Sequence, residues 1–94
     1  MRYHVQVCFE NDMNIWSVVF LDINLEPVGG YSKQEAIDTA IQVLSEHVWI
    51  YGFNNHPYFK NSTIGEVTTI EPNLDIIAAQ HDPAFLSSVY LHRL

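Results

Sequence analysis

The sequence is poor in cysteine and has no long apolar run. Cys8 is the only cysteine among 94 residues, so the chain can form neither an intramolecular disulfide nor a zinc site built from several cysteines. No stretch reaches the roughly 18 apolar residues that span a bilayer, and the alternating residues at the start do not resemble a signal peptide. We therefore expect a soluble, unprocessed protein that resides in the cytoplasm and does not bind membranes.

Basic residues are also scarce. Four Lys and Arg stand against eleven Asp and Glu, and the formal net charge is −7. This charge repels a phosphate backbone and argues against direct nucleic-acid binding. The same charge attracts a protein with a basic surface, such as a nuclease, although acidic residues also serve solubility alone.

The first part of the chain has the pattern of three strands. Hydrophobic residues make up 48% of the sequence, which is enough for one folded domain over residues 1–94. Residues 3 to 9 alternate between apolar and polar, whereas residues 15 to 21 are apolar on both faces, as in an interior strand. We expect these two segments to form a hairpin and residues 28 to 31 to form a short strand at the sheet edge.

A helix follows the third strand. Ser32-Lys33-Gln34-Glu35 is a capping box, so the helix is predicted to begin at Ser32. Gly52 is placed to end it in a left-handed conformation. Apolar residues at three- and four-residue spacing form a stripe that should pack on the sheet. They are Ile37, Ala40, Ile41, Leu44, Val48 and Tyr51.

The predicted fold class is α+β. A fourth strand is expected near residues 65 to 70, and we expect it to return parallel to the first strand through a right-handed crossover. The core is thus β-β-β-α-β over residues 1–71, with the helix on one face of a mostly antiparallel sheet. Residues 72–94 should add short helices, one beginning after Asn73 and reaching about residue 80, and one over residues 84–92.

The glycine pair before the helix raises the question of phosphate binding. A phosphate-binding loop has two glycines separated by four residues and followed by Lys and Ser or Thr, and Gly29-Gly30 does not fit that spacing. Glu35 in the first helical turn would also compete with an anion for the backbone donors. The pair is better explained as a structural turn into the helix.

The same stretch carries a family resemblance. The residues that carry it are Trp16 in the second strand, Asp22 at the end of that strand, Gly30 after a turn, and Ser32 and Glu35-Ala36 at the helix start. In these residues the chain, over about residues 1 to 50, resembles the N-terminal domain of HicB-type antitoxins. The resemblance implies a core similar to a partial RNase H fold that binds and occludes a protein rather than catalysing a reaction.

Two features differ from that family. Asp22-Ile23-Asn24-Leu25 stands where the family usually has Asp-Leu-Pro-Gly. Residues 72–94 contain no basic helix-turn-helix or ribbon-helix-helix module of the kind that such antitoxins use to bind an operator. Operator binding is therefore not expected of this chain.

The sequence contains no convincing catalytic or metal site. Five histidines are scattered without a close pair at ligand spacing. Asp22, Glu35 and Asp38 are the acids that a two-metal nuclease site would need, but the capping box already explains Glu35. Cys8 lies on a strand, with nothing nearby in sequence to lower its pKa. We therefore predict no catalytic residue, no metal and no cofactor.

The binding prediction rests on an aromatic loop and on acids near the helix start. Exposed aromatic side chains beside Asn residues are typical of interface hot spots, although they can also cap a core. The predicted partner-binding residues are Asp22, Glu26, Asp38, Phe53, His56, Tyr58 and Phe59. We expect an acidic inhibitor of a basic, nucleic-acid-acting protein, of the antitoxin-like, immunity or mobile-element anti-defence class. The alternative is a non-enzymatic structural or oligomerisation module, and a homodimer is compatible with both.

Overall fold

The computed structural model describes residues 2–53, 65–75 and 77. Its elements are β1 (Tyr3–Glu10), β2 (Ile15–Phe20), β3 (Val28–Gly30), α1 (Lys33–Tyr51) and β4 (Glu66–Ile70). They form a four-stranded antiparallel sheet with α1 packed on one face. The predicted α+β class is therefore confirmed.

The strand order is β3-β2-β1-β4. β1 and β2 form the expected hairpin, in which Phe9 lies opposite Trp16 and Val5 opposite Phe20. Asn14 in the connecting turn has φ of 54°, a left-handed conformation that Asn tolerates better than most residues. As predicted, β2 is an interior strand and β3 is a short edge strand.

The expected direction of β4 is wrong. β4 runs antiparallel to β1, with Tyr3 opposite Ile70 and Val7 opposite Glu66. The crossover rule concerns a direct return to a parallel strand. A fully extended segment of the length of residues 53–64 reaches roughly 40 Å. Helix α1, with its 19 residues, is about 28 Å long, so the connection is long enough to run back along the whole helix. The chain can therefore enter the sheet from either end.

Helix α1 begins as the sequence predicts. Ser32 has an extended backbone, and its Oγ accepts a hydrogen bond from the N–H of Glu35 at 3.1 Å. At the other end Gly52 donates its N–H to the Val48 carbonyl at 2.8 Å, with a positive φ of 78° but an extended ψ of −176°. Glycine is therefore suited to this position, although its conformation is not the left-handed helical one that we expected.

The core lies between α1 and the sheet. Its fully buried side chains include Tyr3, Val5 and Val18 from the sheet and Ala40 and Leu44 from the helix. Tyr51 does not belong to it, contrary to the prediction, because its side chain is exposed at the last turn of α1. The packed stripe on the helix therefore ends at Val48.

The segment after β4 returns to the helix. Ser45 is buried, donates its hydroxyl to the Ile41 carbonyl at 2.5 Å and accepts the backbone N–H of Asn73 at 2.7 Å. Leu74 packs against the core, and Ile77 is fully buried. Helical backbone at residues 74, 75 and 77 follows Asn73. Most of the two predicted C-terminal helices lies outside the described residues, so they stay predictions.

Candidate functional site

Asp22 was predicted to contact a partner, but it lies in a largely buried hydrogen-bonded position. Its Oδ2 accepts the backbone N–H of His4 at 2.7 Å and lies 2.6 Å from Nδ1 of the same residue. The Asp22 side chain is only 12% exposed. Next to it, the Leu21 N–H donates to the His4 carbonyl at 3.0 Å. Asp22 therefore extends the pairing between β1 and the residues that follow β2, and little of its carboxylate is accessible.

Glu26 and Asp38 are more accessible. Both residues are exposed, Glu26 shortly before β3 and Asp38 in α1. Asp38 accepts a hydrogen bond from the Gln34 side chain at 2.8 Å, one turn earlier on the same helix.

The basic side chains of the described residues are both in ion pairs. Arg2 lies 3.2 Å from Glu71, and Lys33 lies 2.8 Å from Glu66. The Lys33 hydrogen bond and positive charge lower the pKa of Glu66.

Other carboxylates remain exposed, and none of them contacts a Lys or Arg within the part of the chain that the structure describes. They are Glu10, Asp12, Glu26, Glu35, Asp38, Glu46 and Asp75. Within residues 2–53, 65–75 and 77, these carboxylates are therefore not neutralised by a Lys or Arg side chain.

An exposed apolar surface lies at the end of α1. We call it the helix-end surface, and its residues are Trp49, Ile50, Tyr51 and Phe53. The ring of His47 stands 4.8 Å from that of Tyr51. Phe53 is the one predicted anchor that the structure describes, because His56, Tyr58 and Phe59 lie outside the described residues. Trp49 and Ile50 were missed, although their position off the packed stripe is visible in the sequence.

A second group of exposed apolar residues lies at the β1–β2 turn. The Phe9 and Trp16 rings are 5.2 Å apart and tilted by 56°. Met13 in the turn is exposed, and so is Tyr31, which follows the strand residue opposite Trp16. The sequence analysis did not predict this group. Alternation in β1 places Phe9 on the face of the sheet that forms the core, but it does not show that this face is exposed to solvent at Phe9.

The described residues offer little for catalysis. Burial, and secondarily the Glu10 carboxylate, raise the pKa of the Cys8 thiol, which keeps it protonated at neutral pH. No group of three or more His, Cys, Asp or Glu side chains in residues 2–53, 65–75 and 77 is arranged to hold a metal ion. In the same ranges, no helix is long and apolar enough to cross a bilayer.

The chain matches no protein-family model, and comparison with curated proteins and with solved structures finds no match. The likeness of residues 1 to 50 to HicB-type antitoxins therefore stays a prediction.

Proposed function

We propose that this protein is a small acidic inhibitor that binds and neutralises a basic, nucleic-acid-acting protein in the cytoplasm. Antitoxin-like, immunity and mobile-element anti-defence proteins are the classes that fit. The observation that carries the proposal is the pairing of both described basic side chains, Arg2 and Lys33, with carboxylates. In the part of the chain that the structure describes, the other exposed acids are thus left to act on a partner.

Electrostatic attraction of this kind acts mainly on encounter. A protein that binds phosphate presents a positive surface, and complementary charge raises its association rate with an acidic inhibitor. Glu26 and Asp38 are suited to this role because both are exposed and neither contacts a Lys or Arg of the described residues. Asp22 contributes less, since its carboxylate is hydrogen-bonded to His4.

Apolar anchoring would act on the lifetime of the complex. Interfaces derive much of their affinity from a few large side chains that become fully buried on binding. The helix-end surface supplies such side chains, and Phe53 leads directly into the predicted anchors His56, Tyr58 and Phe59. We propose that this apolar group forms the centre of the interface and that the acids form its rim.

The first experiment identifies the partner and tests inhibition. The tagged full chain is used to capture proteins from a lysate of the cells that encode it, and bound proteins are identified by mass spectrometry. A captured basic protein is purified, and its activity on nucleic acid is measured with increasing amounts of the chain. Stoichiometric loss of activity supports the proposal. Capture of acidic proteins alone, or unchanged activity of a captured basic protein, contradicts it.

The second experiment separates charge from anchoring by surface plasmon resonance on that partner. A Glu26→Gln, Asp38→Asn double variant should slow association, and raising the salt concentration should slow it for the wild type. Ile50→Ser should speed dissociation. Met13→Ser is the matched control, because Met13 is 69% exposed and Ile50 is 66% exposed. An association rate that does not change with salt, or equal effects of the Ile50 and Met13 variants, would count against these roles.

A further inference from the structure

The two edges of the sheet differ in how well they are protected against pairing. In natural proteins, an edge strand is protected against pairing with another chain when it is very short or contains charged residues (especially Lys), Pro or a bulge. β3 has only three residues, two of them Gly, and its short length protects it. β4 has five residues, Glu-Val-Thr-Thr-Ile, with no Lys or Pro and with one charged residue, Glu66, at its start, and it pairs with β1 in an unbroken register. Within the described sheet, β4 is thus an edge that is open to another strand.

The hydrogen bond between Leu21 and His4 determines which amides of β4 face outward. The Leu21 N–H bonds to the His4 carbonyl, so the even-numbered residues of β1 direct their backbone groups toward β2. The odd-numbered residues then face β4, where their partners are Glu66, Thr68 and Ile70. The N–H and C=O groups of Val67 and Thr69 consequently point away from the sheet.

We propose that β4 pairs antiparallel with β4 of a second copy of this chain, about a two-fold axis at Thr68. In this register Val67 of one copy faces Thr69 of the other, and the outward amides of both residues form the hydrogen bonds. Thr68 faces its own symmetry mate as a non-hydrogen-bonded pair, in which the Cα atoms approach to about 4.5 Å. The dimer would contain one continuous eight-stranded sheet.

The side chains of β4 are compatible with this register. Thr–Thr and Thr–Val neighbours across strands are favourable. Glu66 would face Ile70 of the second copy, so the acids at the two ends of β4 do not oppose one another. Val67 is 55% exposed in the single chain, and its side chain would gain a cross-strand neighbour. The same strand can pair with itself without like charges meeting, which favours a second copy over an unrelated strand.

This inference does not depend on the proposed inhibitor function. The two also respond oppositely to salt. Each copy carries a formal charge of −7, so screening should favour pairing of identical chains, whereas it should weaken binding to a basic partner. Sedimentation velocity over a range of protein and salt concentrations should show a monomer–dimer equilibrium that shifts to dimer as salt rises. A monomer at every concentration and salt level would overturn the proposal.

Disulfide cross-linking tests the register. Cys8→Ser removes the only native cysteine, and Thr68→Cys in that background should form a disulfide-linked dimer under mild oxidation. The expected Cα separation at the axis lies within the range that a disulfide spans. Val67→Cys is the matched control, because its symmetry mate would lie about 7–8 Å away on the diagonal. Equal cross-linking at the two positions would overturn the register.

A second variant tests the outward amides. Thr69→Pro removes an N–H that faces away from β1, so the β1–β4 hydrogen bonds remain. The dimer dissociation constant should rise at least about tenfold. Circular dichroism confirms that the variant is folded. Unchanged dimerisation of the folded Thr69→Pro variant would show that β4 is not the interface.

Discussion

Gly30 lies so close to helix α1 that a Cβ atom on it would stand 2.6 Å from the backbone nitrogen of Ala36. Ala36 is itself fully buried. The first turn of the helix thus packs directly on the backbone of β3, which leaves no room for a side chain. This contact explains Gly30 without a bound phosphate.

Gly30→Ala should therefore destabilise the protein strongly. The new methyl group would force α1 away from β3, and overpacking of this kind costs about 1–3 kcal/mol or more. Gly29→Ala is the matched control, since a Cβ there would have its nearest contact at 3.4 Å, with the Trp16 carbonyl oxygen. Urea unfolding monitored by circular dichroism measures both. Equal stability of the two variants would contradict the close packing of α1 on β3.

Ser32→Ala should lower the free energy of unfolding by about 1 kcal/mol. The substitution removes the Oγ that accepts the Glu35 N–H. Because this role is structural, binding to an identified partner should be unchanged at temperatures where the variant is folded. Ser17→Ala, which removes a hydroxyl bonded to the exposed Glu10 carboxylate, is the control. Loss of binding at an unchanged melting temperature would show that Ser32 contacts a ligand.

Local signals in the sequence predicted the local structure. Alternation identified β1, and the capping box located the start of α1, because each depends on residues that are neighbours in the chain. The direction of β4 depends instead on the end of the sheet at which the chain enters β4. No pattern within β4 itself contains that information.

The candidate surface was harder to predict than the fold. Asp22 was predicted to bind a partner, but its pairing with His4 becomes visible only with the register of the hairpin. Ser45 interrupts an apolar stripe, and its role depends on Asn73, which lies 28 residues later. Tyr51 lies on the predicted stripe but is exposed, which the spacing of apolar residues alone does not show.

Tyr3→Phe should stabilise the protein by about 1 kcal/mol. Tyr3 is fully buried, and its hydroxyl has no hydrogen-bond partner among the described residues. Burial, and secondarily the charge of Asp22, raise the pKa of this hydroxyl. Removing a buried unsatisfied hydroxyl relieves its desolvation penalty. Tyr31→Phe, at an exposed position, should have no effect. A less stable Tyr3→Phe variant in urea would reveal a partner for the hydroxyl, such as a buried water molecule.

The ion pair between Lys33 and Glu66 should make a small, pH-dependent contribution to stability. The Lys33 hydrogen bond, followed by its charge, lowers the pKa of Glu66 in the folded protein, and burial opposes this only weakly. A carboxyl group with a lowered folded pKa stabilises the fold at pH values above its unfolded pKa, about 4.3 for Glu. That contribution is lost as the pH falls through the folded pKa. Because both side chains are exposed, salt should also reduce it.

Two measurements test this ion pair. In an NMR titration, the midpoint of the Glu66 side chain should move to higher pH in a Lys33→Met variant. In thermal unfolding, Glu66→Gln should lower the melting temperature at neutral pH, and the difference from the wild type should disappear in strong acid. Glu46→Gln is the control, because Glu46 is exposed and contacts no Lys or Arg among the described residues. A Glu66 midpoint that is the same with and without Lys33 would contradict the ion pair, because Lys33 is the group that favours the ionised carboxylate.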